Sequence, residues 1–341
     1  MSVEPGPGYQ RLAELIIGSK IAAALHVVVD KRIADVLASG PKTAAALANE
    51  LQLPADTLRR FLRALTQVGL FAELDEGVFA NTEVSEHLRS DVPYSLRDMV
   101  TVLDHDAVAR GWQRLSDVLA SGEPAFNAVH GMGFFDWVKA DAGRSAAMAS
   151  FMGGIYGPQG PRIASGYAFG RFETLMDIGG GNGHILAAIL TQHPQLRGAL
   201  FDLPPTAEVA RRFLSERALT ARCEVFAGDF FEAVPRGYDA YMLKSVLHDW
   251  DDGKAVQILR HCRAAMPEHG RVLIVEIVLG SGRPMEHPHR LIDLEMMVTL
   301  GGKERSEQEF AAILEQAGLR LETVMPIEGS FFSVVEATAD R

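Results

Sequence analysis

An acidic residue followed by a run of glycines, Asp177-Ile178-Gly179-Gly180-Gly181-Asn182-Gly183, is the stretch of this chain best suited to bind a nucleotide. Gly179, Gly181 and Gly183 let the backbone turn sharply and approach a ligand without Cβ clashes, and Ile185 to Leu190 continues as a helix. Asp177 narrows the ligand. A phosphate held about 4 Å from this carboxylate would be repelled by roughly 4 kcal/mol at an effective dielectric near 20. A cation would be attracted instead. S-adenosylmethionine carries a sulfonium and an α-ammonium and no phosphate, so the acid beside the glycines favours it over NAD.

The elements that must position this turn follow from the apolar pattern. From residue 174 onward, short runs suited to strands alternate with helical ones: Leu175 to Ile178, Ala199 to Phe201, Cys223 to Phe226, Ala240 to Leu243 and Val272 to Glu276. That alternation predicts an α/β fold, a Rossmann-like and mostly parallel sheet with helices on both faces. Arg320 to Val324 and Phe331 to Val335 lie close together around Gly329, which predicts a closing antiparallel hairpin.

Ligands of such sheets sit at the carboxyl ends of the strands. The polar residues there form one series: Asp177, then Asp202, then Asp229 with Phe230, then Lys244-Ser245-Val246-Leu247-His248-Asp249-Trp250, then Glu276. Asp202 stands where an acid grips a ribose diol, and Asp229 and Phe230 where adenine is met by hydrogen bond and stacking. Glu276 at the end of the neighbouring strand is expected to orient the His248 imidazole. Glu304, in Gly301-Gly302-Lys303-Glu304-Arg305, precedes a helix opened by a Ser306/Glu309 capping box.

Before the glycine turn the chain reads as helical. Residues 12–38 are apolar over more than one helical face, so that helix needs cover on several sides. Two short helices from Thr43 and Pro54 and a hairpin around Glu76-Gly77 follow, an order typical of a winged helix. Residues 95–165 read as further helices. The expected division is a winged-helix-like dimerisation domain over 1–110, a helical connecting and acceptor-pocket segment over 111–165, and a cofactor-binding domain over 166–341.

The phrases Asp177-Ile-Gly-Gly-Gly-Asn-Gly, Phe201-Asp-Leu-Pro, Gly228-Asp-Phe-Phe, Leu243-Lys-Ser-Val-Leu-His-Asp-Trp and Gly301-Gly-Lys-Glu-Arg occur in this order. Together they resemble the S-adenosylmethionine-dependent O-methyltransferases of the plant caffeic acid type and their bacterial natural-product relatives. The resemblance spans nearly the whole chain and implies a class I methyltransferase fold and a homodimer joined through the N-terminal domain. It implies that Asp177, Gly179, Gly181, Asp202, Leu203, Asp229, Phe230, Lys244 and Ser245 serve the cofactor, whose product is S-adenosylhomocysteine. His248 is then the catalytic base flanked by Glu276 and Glu304, and Phe151, Met152, Asp249 and Met297 belong to the pocket of a small aromatic acceptor. A phenol of pKa near ~10 is only about one part in a thousand ionised at neutral pH, which is why a base is needed.

Composition removes other classes. A net charge of −11 opposes a polyanionic partner. Residues 1–100 hold more Asp and Glu than Lys and Arg, so Arg59, Arg60 and Arg63 do not make a basic DNA-reading face and a winged-helix regulator is disfavoured. No signal peptide and no membrane-spanning run are recognised, so a cytoplasmic enzyme is expected. Cys223 and Cys262 read as core thiols, and His287-Pro288-His289 as loop residues without a metal. The remaining rivals are an N-methyltransferase, or a relative that binds the cofactor and performs hydroxylation or decarboxylation. Retention of His248, Glu276 and Glu304 favours transfer to oxygen.

Overall fold

The computed structural model describes residues 6–103, 106–280 and 289–340. Two compact units make up the chain: residues 1–109 with 138–155, and residues 110–137 with 156–341.

The first unit opens with the helix Pro7–Asp30, in which only Val28 and Val29 are buried. Tyr9, Leu12, Leu15, Ile16 and Ile17 stand exposed on it. The sequence reading found no membrane-length apolar run, yet this helix is long and apolar enough to cross a membrane by length and composition. The difference arises because Glu14, Gly18 and Lys20 interrupt the run without offsetting its many aliphatic residues. The helices Ala44–Leu51 and Ala55–Thr66 then precede a hairpin of Phe71–Asp75 and Val78–Asn81. Thr43 caps the first of these by accepting a hydrogen bond from Ala46 N, and Gly77 turns the hairpin at φ +75°. Arg59 and Arg63 lie 3.7 and 3.8 Å from Asp56 and Glu73, so two of the three arginines on this helix stand beside acids.

The second unit is built on a seven-stranded sheet: β1 Thr174–Ile178, β2 Arg197–Asp202, β3 Cys223–Ala227, β4 Ala240–Lys244, β5 Arg271–Glu276, β6 Leu319–Pro326 and β7 Ser333–Ala339. Their spatial order is β3-β2-β1-β4-β5-β7-β6. The first five run parallel, and β7 pairs antiparallel with both β5 and β6. The first crossovers proceed outward from β1 to β3, and the chain then returns to place β4 against β1. The carboxyl ends of β1 and β4 therefore meet at a reversal of strand order, where such sheets accept ligands.

Side-chain alternation covers both faces of the sheet. Met176, Ile178, Ala199, Phe201, Tyr241 and Leu243 join one core with the helices Asp252–Ala265 and Glu307–Gln316. Leu175, Leu200, Met242, Leu273 and Val275 join the other with Gln159–Gly166, His184–Gln192 and Pro204–Glu216. The continuous apolar strands thus report burial on two sides. Cys223 and Cys262 are buried free thiols in these cores, as expected.

At the opposite end of the sheet, Asp239 ties the starts of β1 and β4. Its Oδ2 accepts from Glu173 N, Thr174 N and Thr174 Oγ1 at 3.1, 2.9 and 3.0 Å. We expect Asp239→Ala to lower stability by about 1–3 kcal/mol, because both Thr174 donors lose their acceptor. Chemical denaturation checks this, with an unchanged m-value expected.

Candidate active site

Strand β1 delivers Asp177 and then turns. Gly179, Gly181 and Gly183 take φ of +67°, +59° and +85°, the left-handed region that glycine adopts without strain. The turn is also crowded on one side. A Cβ on Gly179 would lie 2.9 Å from Val246 Cγ2 and 3.6 Å from Phe230 Cε1, whereas one on Gly181 would meet nothing within 4 Å.

Asp202, at the end of β2, locks this turn. Its Oδ2 accepts from Gly181 N at 2.9 Å and its Oδ1 from Leu203 N at 2.7 Å. Asp229 folds its own loop by accepting from Phe231 N at 2.8 Å. Phe230 lies edge-on to Phe231 and Trp250, with centroids 4.9 and 6.3 Å away. Asp177 is 1% exposed. Its Oδ1 is buried and unpartnered. Burial, with Asp202 adding to it and Lys244 opposing, lifts its pKa to about 8.

Strand β4 ends in Lys244, whose ammonium sits 2.9 Å from the centroid of the Tyr156 ring and 4.6 Å from that of Phe332. Burial holds its pKa well below the usual lysine value, against the pull of Asp177, Glu276, Asp249 and Glu304. Ser245 follows at φ +51°, and its buried side chain is hydrogen-bonded to the Tyr156 hydroxyl. Its strained backbone redirects the chain out of the strand into the short turn Leu247–Asp249.

Opposite charges grip this turn on its two sides. Glu276 Oε1, at the end of β5, accepts from the backbone N–H groups of Val246, Leu247 and His248 at 3.1, 2.7 and 3.2 Å. Arg305, wholly buried, donates from Nη1 to Leu247 O and from Nη2 to Trp250 O, both at 2.9 Å. Its Nε and Nη2 also reach Asp252 Oδ1 at 3.0 and 2.9 Å. The loop bearing Arg305 passes so close that a Cβ on Gly302 would fall 1.9 Å from His248 O.

Held in this way, the His248 ring lies between two carboxylates. Nδ1 is 2.8 Å from Glu304 Oε1, and Nε2 is 3.4 Å from Asp249 Oδ1. Glu304 N in turn donates to Asp293 Oδ1 at 2.9 Å. Burial alone would lower the imidazole pKa, but Glu304, Asp249 and Glu276 outweigh it and raise it to about 10. Burial lifts Asp249 to about 7, against the pull of His248, and it raises Glu276 as well.

Sequence reasoning placed Glu276 on the imidazole, and this is corrected: its near oxygen is taken by three backbone donors, and Glu304 holds the ring. A residue at the end of β5 faces the start of the loop leaving β4, where N–H groups converge. The imidazole points away, toward the loop after residue 300. Asp177, Asp202, Lys244, Ser245, His248, Asp249, Glu276 and Glu304 are thereby gathered at one end of the sheet. Met297 packs apart from them with Val118, Ala125 and Val298, while Phe151 and Met152 lie in the first unit on Ala142–Tyr156. Sequence reasoning missed Arg305, Gly302, Asp293 and Tyr156. The Gly301-Gly302 pair was the one signal that pointed to a close backbone approach. His287 and Pro288 lie outside the described residues, and among those described no group of three His, Cys, Asp or Glu is arranged to hold a metal.

The residues fit S-adenosylmethionine. Acids rather than basic groups line the glycine turn, Gly181 faces open space, and Asp177 Oδ1 is a buried polar atom without a partner.

Comparison with known proteins gives the same direction. Residues 112–320 match the model of an O-methyltransferase domain, and residues 13–91 that of an O-methyltransferase dimerisation domain. A mitomycin biosynthesis 6-O-methyltransferase of Streptomyces lavendulae is 37% identical, covering 97% of this chain and 96% of that protein. An 8-amino-8-demethylriboflavin N,N-dimethyltransferase of Streptomyces davaonensis is 34% identical over 96% of this chain and 94% of its own. Among solved structures, an O-methyltransferase from neocarzinostatin biosynthesis, in complex with S-adenosylmethionine and 2-hydroxy-5-methyl naphthoic acid, superposes with a TM-score of 0.81. It is 37% identical and covers 94% of this chain and 96% of its own.

Removing one member of the charge grip should cost more than an ordinary core mutation. We expect Arg305→Met to lower stability by about 3–5 kcal/mol, because Asp252 and two carbonyls lose their partner. Thermal melts of Arg305→Met and Arg305→Lys check this, with lysine recovering part of the loss.

Proposed function

The chain belongs to the S-adenosylmethionine-dependent O-methyltransferase family, and from that premise we propose that it methylates a hydroxyl of a small aromatic acceptor with His248 as the general base. The observation that carries this reading is the His248 ring, held by buried Glu304 through Nδ1 and so presenting Nε2 to the acceptor. Bound S-adenosylmethionine supplies a methyl group made electrophilic by its positive sulfur. Gly179, Gly181, Asp202 and Leu203 would hold it at the ends of β1 and β2, with Asp229 and Phe230 toward its adenine and Asp177, Lys244 and Ser245 toward its charged end.

This chain's own part is to orient the acceptor and manage one proton. Glu304 fixes the ring and stabilises its positive charge. Glu276 and Arg305 fix the backbone on which the ring stands, and Nε2 takes the hydroxyl proton as the oxygen becomes nucleophilic. Aligning two reactants adds to what the base contributes. Asp249 and Met297, both in the second unit, are proposed to contribute to the acceptor pocket. The flat rings in the names of the relatives support an aromatic acceptor. The N,N-dimethyltransferase among them keeps nitrogen as a second reading, since an amine needs no base before it attacks.

The exposed apolar face of Pro7–Asp30, within a segment that matches a dimerisation domain, is proposed as the contact with a second copy. We expect Leu15→Glu with Ile16→Glu to shift the protein from dimer to monomer in sedimentation velocity. Labelled methyl transfer to a panel of phenols, naphthols and anilines tests the reaction. His248→Ala should lose about 10²–10⁴-fold in kcat toward hydroxyls, while Kd for S-adenosylhomocysteine stays near the unmodified value. Methylation of anilines alone, unaffected by His248→Ala, would overturn the base assignment.

A further inference from the structure

The loop leaving β3 is tied to the sheet at its start and to a helix at its tip. Gly228 N donates to Asp202 O at 3.0 Å, and a Cβ on Gly228 would fall 2.6 Å from Phe201 Cε2, so only glycine lets the backbone pass this close to the ring. Asp229 then bends the loop. Its carbonyl accepts from Glu232 N and Ala233 N at 3.0 and 3.1 Å, in addition to its side-chain bond with Phe231 N. The next two carbonyls are taken by side chains of the helix Asp252–Ala265. His261 Nδ1 donates to Phe230 O at 2.7 Å, and Gln257 Nε2 donates to Phe231 O at 2.9 Å. Four residues apart, these two side chains share one face of the helix.

We propose that His261 and Gln257 are positioning residues for the cofactor: by holding these two carbonyls they fix the Phe230 ring in the place where adenine stacks. The inference rests on the reading above that turns Asp229 and Phe230 toward adenine, and it deepens that reading. A loop that is ordered only when its ligand arrives subtracts the ordering cost from affinity. Two bonds from a helix remove that cost beforehand. The Phe230 ring also borders the glycine turn, since a Cβ on Gly179 would lie 3.6 Å from its Cε1. Slippage of the loop would therefore move the ring relative to the turn that holds the rest of the cofactor.

The chemistry of the two donors sets their relative weight. A carbonyl only accepts, so His261 Nδ1 carries a proton, and both the neutral and the charged ring can make this bond. The His261 bond is partly buried and the Gln257 bond exposed. Water can replace an exposed donor more readily than a buried one, so His261 carries more of the hold. Asparagine places an amide nitrogen on Cγ, where imidazole carries Nδ1, and can donate in the same direction. Leucine fills similar space and donates nothing.

Calorimetric titration with S-adenosylhomocysteine and, by competition, with adenosine tests the inference. His261→Leu should raise Kd for both ligands by about tenfold, the worth of one lost hydrogen bond, and the exposed Gln257→Ala, which does not threaten folding, by about threefold. His261→Asn should return Kd to within about twofold of the unmodified value, because the donor is restored. In methyl transfer to the best acceptor of the panel above, His261→Leu should raise KM for S-adenosylmethionine and leave kcat at saturating cofactor within about twofold. Unchanged Kd in both His261→Leu and Gln257→Ala, or a loss that asparagine does not repair, would overturn the inference. Phe230→Ala separates it from the reading beneath it. Weaker adenosine binding in Phe230→Ala, without weakening in either helix variant, overturns the positioning role alone. Unchanged adenosine binding in Phe230→Ala overturns the adenine placement, and the positioning role with it.

Discussion

A single short turn, Leu247–Asp249, carries the residue proposed as the base, and it is held by a carboxylate on its donor side and a guanidinium on its acceptor side. Peptide N–H groups at such a bend point one way and carbonyls the other, so the turn has a local dipole that two fixed charges of opposite sign can clamp. Glu276 takes three N–H groups and Arg305 takes two carbonyls. Each charge is too buried to be tolerated alone, so each is retained only while the turn has this shape. The sheet delivers Glu276, and the loop after Gly301 delivers Arg305. Because Glu304 precedes Arg305 directly, the same loop that clamps the turn also supplies the imidazole's partner.

This arrangement explains why so many titratable groups share one end of the sheet. Asp177, Asp249, Glu276 and Glu304 stand against Lys244, His248 and Arg305. Low polarity around them makes each charge state depend on its neighbours, which is why Asp177 and Asp249 are pushed to about 8 and 7 while His248 is lifted to about 10. Arrival of a cation at the glycine turn favours ionisation of Asp177. A cationic donor therefore improves the charge balance of the end of β1.

Much of the donor side was legible in the sequence because it obeys local rules. Strand ends follow apolar runs, glycines mark positive φ, and the spacing from Asp177 to Asp202 follows from one crossover. The winged-helix order and the closing hairpin were legible for the same reason. Arg305 was not, since a lone arginine after a loop glutamate has no local signature. Its role arises only when the loop after residue 300 passes under the turn at residue 248. Gly302 is the trace of that approach, and a Gly-Gly pair before two charged residues does not say which backbone comes close. Glu276 was placed correctly and assigned to the wrong donor, because a strand register locates a carboxylate without telling whether a side chain or the backbone will meet it. Tyr156 lies at the end of a helix whose pattern gives no sign that its ring caps Lys244.

The division of labour across the sheet also bears on how relatives can methylate either oxygen or nitrogen. The glycine turn and Asp202 lean on one another through Gly181 and Leu203, and nothing in that set touches the His248 ring. The ring depends on β4, β5 and the loop carrying Glu304 and Arg305. Lys244, reaching from β4 with electrostatic ties to Asp177 on one side and to Asp249, Glu276 and Glu304 on the other, is the main link between the two halves. Substitutions at or around the His248 ring can therefore leave the donor half intact. A scaffold built in this way keeps its cofactor while the proton chemistry next to it is free to diverge.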